Sequence, residues 1–174
     1  MKPKAVKLTR EKLMQFVTYE PDTGVFRWKV AVNYSIKPGA RAGTIDKRSG
    51  YRRICVDGER WLEHRLAWLY VHGEPPPGYL DHVNGDRTDN RLENLRPASK
   101  VENGWNRALN SNNTSGHRGV YRVMTGRKKT HVRFRAIVSV GVKRVTLGDF
   151  LTEAEALAAY KAAAKLIHGQ FYRS

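Results

Sequence analysis

An aspartate and a histidine stand side by side at Asp81-His82. A polar run through Asn90 follows, then Arg91-Leu92-Glu93-Asn94-Leu95-Arg96. A carboxylate oxygen suits a hard divalent cation. An imidazole titrates near neutral pH and can take a proton from water. Asn84-Gly85-Asp86 marks a turn. Ser99-Lys100-Val101-Glu102 has the form of a capping box, with Ser99 as N-cap and Glu102 three residues on. That places Asn103 in the first turn of a helix. Asp81, His82, Asn94 and Asn103 can therefore converge on one site built from a strand end, a turn and a helix. In it, Asp81 and Asn103 offer oxygen ligands and His82 offers a base.

The elements that must position these residues lie on the amino-terminal side. Thr9 caps a short helix carrying Leu13, Met14, Phe16 and Val17. Pro21-Asp22-Thr23-Gly24 is a turn and Val25–Trp28 a strand. Residues 51–56 and 60–62 flank Asp57-Gly58, which predicts a hairpin. On this small sheet Arg52 and Arg53 are candidates for holding a DNA backbone. Residues 64–72 read as a helix ending at Gly73, and His64 could neighbour the active site, a structural role being favoured. Pro75-Pro76-Pro77-Gly78 is a stiff connection that delivers Tyr79-Leu80 to the strand ending at Asp81.

The constellation resembles the HNH nuclease family, also called the ββα-metal finger. In that family the Asp of an Asp-His pair binds the metal and the His is the general base. A central Asn braces the loop, and a final His or Asn is the second protein ligand. The matching positions here are Asp81, His82, Asn94 and Asn103, and an Asn at the last position resembles phage and intron homing endonucleases. The resemblance implies a magnesium (Mg2+) or manganese (Mn2+) ion and products with 5′-phosphate and 3′-hydroxyl ends. The chain departs from the pattern at Pro97, where relatives often carry Trp. No Cys pairs flank the motif, which excludes the zinc-braced variant.

Beyond Asn110 lies a polar boundary, Asn110-Ser111-Asn112-Asn113-Thr114-Ser115-Gly116. The following segment reads as three strands and a helix. Arg133, Arg135, Ile137 and Ser139 alternate with Phe134, Ala136, Val138 and Val140, so one sheet face is predicted arginine-rich and the other apolar. Arg144 and Thr146 repeat the pattern opposite Val145 and Leu147, and the first strand offers Arg118 and Arg122. A helix begins at Thr152, capped with Glu155, with Ala156, Ala159, Tyr160 and Ala163 as its inner stripe. Three pieces, residues 115–121, 147–150 and 158–163, together with His168-Gly169-Gln170-Phe171, resemble the plant APETALA-two/ethylene-response-factor DNA-binding domain. There a three-stranded sheet enters the major groove and its arginines read bases. Tyr121, Phe134 and Thr146 depart from the plant pattern, so plant base specificity is not carried over.

Charge agrees with a polyanionic partner. The chain holds 32 Lys+Arg against 16 Asp+Glu in 174 residues, a net charge of +16. Residues 1–110 carry 20 basic and 13 acidic side chains, and residues 111–174 carry 12 and 3, so the shorter segment has the stronger basic excess. The single cysteine, Cys55, forms no internal disulfide. No apolar stretch spans a bilayer and no signal-peptide core follows Lys4, which predicts a cytoplasmic protein without membrane association. The fold class expected is α+β: an HNH ββα-metal nuclease domain over 1–110, then a three-stranded antiparallel sheet packed on one helix over 111–174. The expected function is a metal-dependent, homing-endonuclease-like enzyme that nicks or cleaves double-stranded DNA, acting as a monomer. The alternative is a non-catalytic DNA-binding regulator on the same scaffold. RNA binding is disfavoured because no aromatic residue is expected on the open sheet face.

Overall fold

The structure, a computed structural model, describes residues 8–106, 109, 113, 115–127 and 130–172. The basic tail through Lys7, and residues 110–112 and 114 of the polar boundary, lie outside the described residues. The chain folds as two compact units, Met1–Ala98 and Ser99–Ser174. The division falls before the capped helix, whereas the sequence reading places that helix with the first domain.

In the first unit, helix α1 (Arg10–Phe16) is capped by Thr9, whose hydroxyl accepts from the Lys12 amide. It runs directly into strand β1 (Val17–Glu20), which pairs with β2 (Val25–Trp28) across the Pro21–Gly24 turn. Strands β3 (Thr44–Ile45), β4 (Arg52–Val56) and β5 (Glu59–Leu62) form an antiparallel sheet. Asp57-Gly58 makes the tight β4–β5 turn with both residues at positive φ. Helix α2 (Glu63–His72) ends on Gly73 in the left-handed conformation, as the Gly signal predicts. Strands β6 (Tyr79–His82) and β7 (Leu95–Ala98) make a separate antiparallel pair. Leu13, Val17, Phe26, Ile54, Leu66 and Leu95 share one buried core, so the first hairpin, the second sheet, α2 and β7 pack together.

The second unit begins with helix α3 (Lys100–Trp105). Its capping box is complete, the Ser99 hydroxyl accepting from the Glu102 amide and the Glu102 carboxylate from the Ser99 amide. Strands β8 (Val120–Thr125), β9 (His131–Val140) and β10 (Lys143–Phe150) make an antiparallel sheet in the order β10-β9-β8. Helix α4 (Glu153–His168) carries the predicted Thr152–Glu155 capping box. Its buried positions are Ala156, Tyr160, Ala164 and His168, with Ala159 and Ala163 at the edge of the same core. The stripe therefore runs one position further round than predicted. These side chains pack on Val120, Ala136 and Val138 of the sheet. Gly119 has φ +69°, and a Cβ there would collide with the Tyr160 ring and the Ile137 carbonyl, so only glycine lets β8 approach this closely. Helix α3 belongs to this unit through its last residue. The Trp105 ring stacks on His168 at 4.3 Å, and Arg118 donates to the Trp105 carbonyl.

Candidate active site

Strand β6 brings the Asp-His pair to the edge of its hairpin, both residues buried. Pairing with β7 sets Asp81 opposite Arg96 and His82 opposite Leu95. Arg96 donates to Asp81 Oδ2 from Nε at 2.9 Å and from Nη2 at 2.7 Å. Asp81 thus sits on a cation supplied by the neighbouring strand, a pairing the sequence reading missed.

The loop from Val83 to Asn90 is held by Asn94, at the end of a 3-10 turn spanning Leu92–Asn94. Asn94 Oδ1 accepts from the Asn84 amide at 3.0 Å. Its Nδ2 donates to Asn84 Oδ1 at 3.0 Å and to the Asp89 carbonyl at 2.8 Å. The Asn94 carbonyl accepts from the Val83 amide at 2.9 Å. One buried amide therefore ties both ends of the loop, the local geometry that a bracing role requires.

The His82 ring has Nε2 3.1 Å from Asn90 Oδ1. Its flanks are the rings of His64, at 5.1 Å and nearly perpendicular, and of Tyr51, at 5.9 Å. Burial pushes the His82 imidazole below its ordinary value, and the Asn90 hydrogen bond and the Asp81 charge oppose that shift only in part. The ring is neutral at neutral pH and able to accept a proton. His64 is buried too, and burial, followed by the neighbouring His82 and Arg65, pushes it down to about 3. The fold sets His64 directly against His82, the neighbouring position that the sequence left open beside a structural role.

Asn103 stands on α3, in the second unit. Among the described residues no group of three or more His, Cys, Asp or Glu is placed to hold a metal. Magnesium is satisfied by one or two carboxylates with amide or water oxygens, and Asp81 is a donor of that kind. The side-chain chemistry of the predicted ligands fits such an ion.

The arginines expected on DNA divide by register. Directly paired residues in an antiparallel sheet share a face. Arg135 pairs with Tyr121 and Asp149, Arg133 with Val123, and Arg144 with Ser139, so these three arginines share the open face. Arg122 pairs with Phe134 and falls on the helix side of the sheet. Arg118 precedes β8 and is half-buried against Trp105. Only three of the five predicted arginines therefore lie on the open face. A bulge between Thr146 and Gly148 reverses the alternation of β10. It turns Asp149 onto the arginine face, where it accepts from Arg135 Nε at 2.7 Å and Nη2 at 2.8 Å. Tyr121, 42% exposed, shares that face, contrary to the expectation of no aromatic residue there. Arg52, a candidate for the DNA backbone, is buried and ion-paired with Glu63 at 2.8 Å. Nothing in its local sequence distinguishes it from the half-buried Arg53, which pairs with Asp46 at 3.0 Å.

Residues 62–105 match the model of a family described as HNH endonuclease, and they span α2, the Asp-His pair, Asn94 and α3. The chain is also similar to Protein 3.8 of Escherichia phage T7, with 35% identity over 74 residues, 42% of this chain. That match covers 59% of the phage protein's length. No solved structure matches the chain. Among the described residues no helix is long and apolar enough to cross a membrane.

Proposed function

We propose that the chain is a metal-dependent HNH endonuclease, homing-endonuclease-like, that hydrolyses phosphodiester bonds of duplex DNA. The buried Asp81-His82 pair, on a loop clamped by Asn94 within the segment that matches the nuclease family, carries the reading. A magnesium or manganese ion would stabilise charge developing on the scissile phosphate; Asp81 offers it a carboxylate, and the family resemblance gives Asn103 the role of second ligand. His82, neutral in its buried setting, takes the proton of the attacking water. Asn94 holds the loop so that the ring keeps its aim. The sheet of the second unit, with Arg133, Arg135 and Arg144 on its open face, binds the DNA in the manner of the APETALA-two/ethylene-response-factor domain. One catalytic set per monomer nicks one strand.

The Arg96–Asp81 ion pair favours a second reading, a DNA-binding regulator whose metal ligand is already occupied. Nicking of supercoiled plasmid separates the two. The enzyme cuts with magnesium and not with a chelator, and Asp81→Ala and His82→Ala lose that activity while still binding DNA. Asn103→Asp, which keeps an oxygen ligand, retains cation binding, and Asn103→Leu loses it. Binding without any metal-dependent cleavage by the parent chain identifies the regulator.

A further inference from the structure

Behind His82 the first unit buries a row of polar side chains to which the chemistry above gives no role. Arg52 donates from Nε to Glu63 Oε2 at 2.8 Å and from Nη2 to the Gly43 carbonyl at 2.9 Å. Glu63 has no exposed surface and Asn90 is 1% exposed. Glu63 Oε1 and Asn90 Nδ2 are both buried with no hydrogen-bond partner within bonding distance. They interact with each other, the amide favouring the ionised carboxyl. The backbone of Asn90 is fixed as well. The Tyr19 hydroxyl donates to its carbonyl at 2.7 Å, and Gly24, with φ +70°, packs where any Cβ would strike the Asn90–Arg91 peptide.

The row has a direction. A guanidinium does not deprotonate in a protein. Burial raises the Glu63 carboxyl and Arg52 opposes that shift; the 2.8 Å ion pair with Arg52 is the geometry of a carboxylate. A carboxylate only accepts hydrogen bonds, so the end of the Asn90 amide that faces it must be the donor, Nδ2. The amide oxygen then faces His82, and it too only accepts. The nitrogen that faces it, Nε2, must therefore be the donor, and in this tautomer Nδ1 is the nitrogen that carries the lone pair.

We propose that Arg52, Glu63 and Asn90 are positioning residues that fix His82 as the Nε2–H tautomer, so that Nδ1 is the atom that takes the proton from water. This rests on the reading of His82 as the general base. The tautomer itself is measurable without metal or DNA. Long-range 15N correlation spectra of the full chain, labelled at its six histidines, report it, with His82 assigned from the spectrum of His82→Ala. The parent shows a protonated Nε2 and an unprotonated Nδ1. Asn90→Ala averages the two nitrogens and lowers kcat about 10- to 100-fold, the cost of losing the partner that orients a reacting imidazole, with KM unchanged. Glu63→Gln disturbs the tautomer, because the amide introduced there can donate to Asn90 Oδ1 and turn Nδ2 toward His82. The double variant, which combines Glu63→Gln with Asn90→Asp, restores it, because the amide introduced at position 63 can donate to the carboxylate introduced at position 90, and that carboxylate still accepts from His82. That pair keeps the proposal testable if Asn90→Ala does not fold. A protonated Nδ1 in the parent, or an unchanged His82 spectrum in Asn90→Ala, overturns the proposal even where His82→Ala is inactive. Parent-level cleavage by His82→Ala overturns the base assignment instead, and with it the catalytic use of the tautomer.

Discussion

Replacing Arg52 with Met tests whether this arginine holds DNA or holds the fold. Its side chain is 11% exposed and that of Glu63 is fully buried, with 2.8 Å between Nε and Oε2. Removing the guanidinium strands a carboxylate in the core, which costs about 3–5 kcal/mol. That is a large share of the roughly 5–15 kcal/mol that holds a domain of this size, and the melting midpoint should fall by more than about 10 °C. Replacing both partners removes the stranded charge, so Arg52→Met with Glu63→Leu should recover most of the loss. The assay is urea unfolding followed by tryptophan fluorescence, since Trp28, Trp61 and Trp68 all stand in the first unit. The double variant should be folded yet impaired in turnover, because Asn90 loses the group that orients it. The reasoning is refuted if Arg52→Met changes stability by less than about 0.5 kcal/mol, as a surface substitution does, and flattens the salt dependence of DNA binding. Arg52 would then be a phosphate contact.

Three further outcomes follow from the geometry. His64 titrates at about 3 in the folded chain against 6.5 for the free side chain, so between those values the unfolded chain binds a proton that the folded one excludes. Its contribution to stability is complete above pH 6.5 and falls as the pH drops toward 3, by up to about 1.4 kcal/mol per pH unit. A pH series of urea unfolding should show a shallower decline for His64→Phe than for the parent. Gly119→Ala forces a Cβ into Tyr160 and the Ile137 carbonyl at positive φ, which should cost about 1–3 kcal/mol and speed amide exchange throughout β8–β10. Asp149→Asn removes the carboxylate that holds Arg135, so DNA affinity should rise and the salt slope should steepen by about 1, whereas Arg135→Ala should do the reverse. An unchanged slope in both variants removes Arg135 from the DNA interface.

Features set by neighbours in the sequence were legible before any fold. Thr9, Ser99 and Thr152 cap the helices predicted for them, and Asp57-Gly58 and Gly73 turn the chain where expected. Side-chain alternation along β9 likewise foretold which residues face α4, because one residue's orientation decides the next. The candidate Asp81, His82 and Asn94 were readable as a spaced set, since their chemistry is unusual together. What surrounds them was not. Arg52 reaches Glu63, Arg96 reaches Asp81 and Asn90 reaches His82 only once separate strands and a helix are packed. Local sequence does not reveal whether an arginine will be solvated or buried. The bulge that turns Asp149 onto the arginine face, and the register that sends Arg122 to the opposite face, depend on which residue of a partner strand lies across from each. Trp105 joins α3 to the second unit by stacking on a histidine far along the chain. Pairing partners, charge burial and the division into units are set by contacts distant in sequence, so they were decided by the tertiary structure alone.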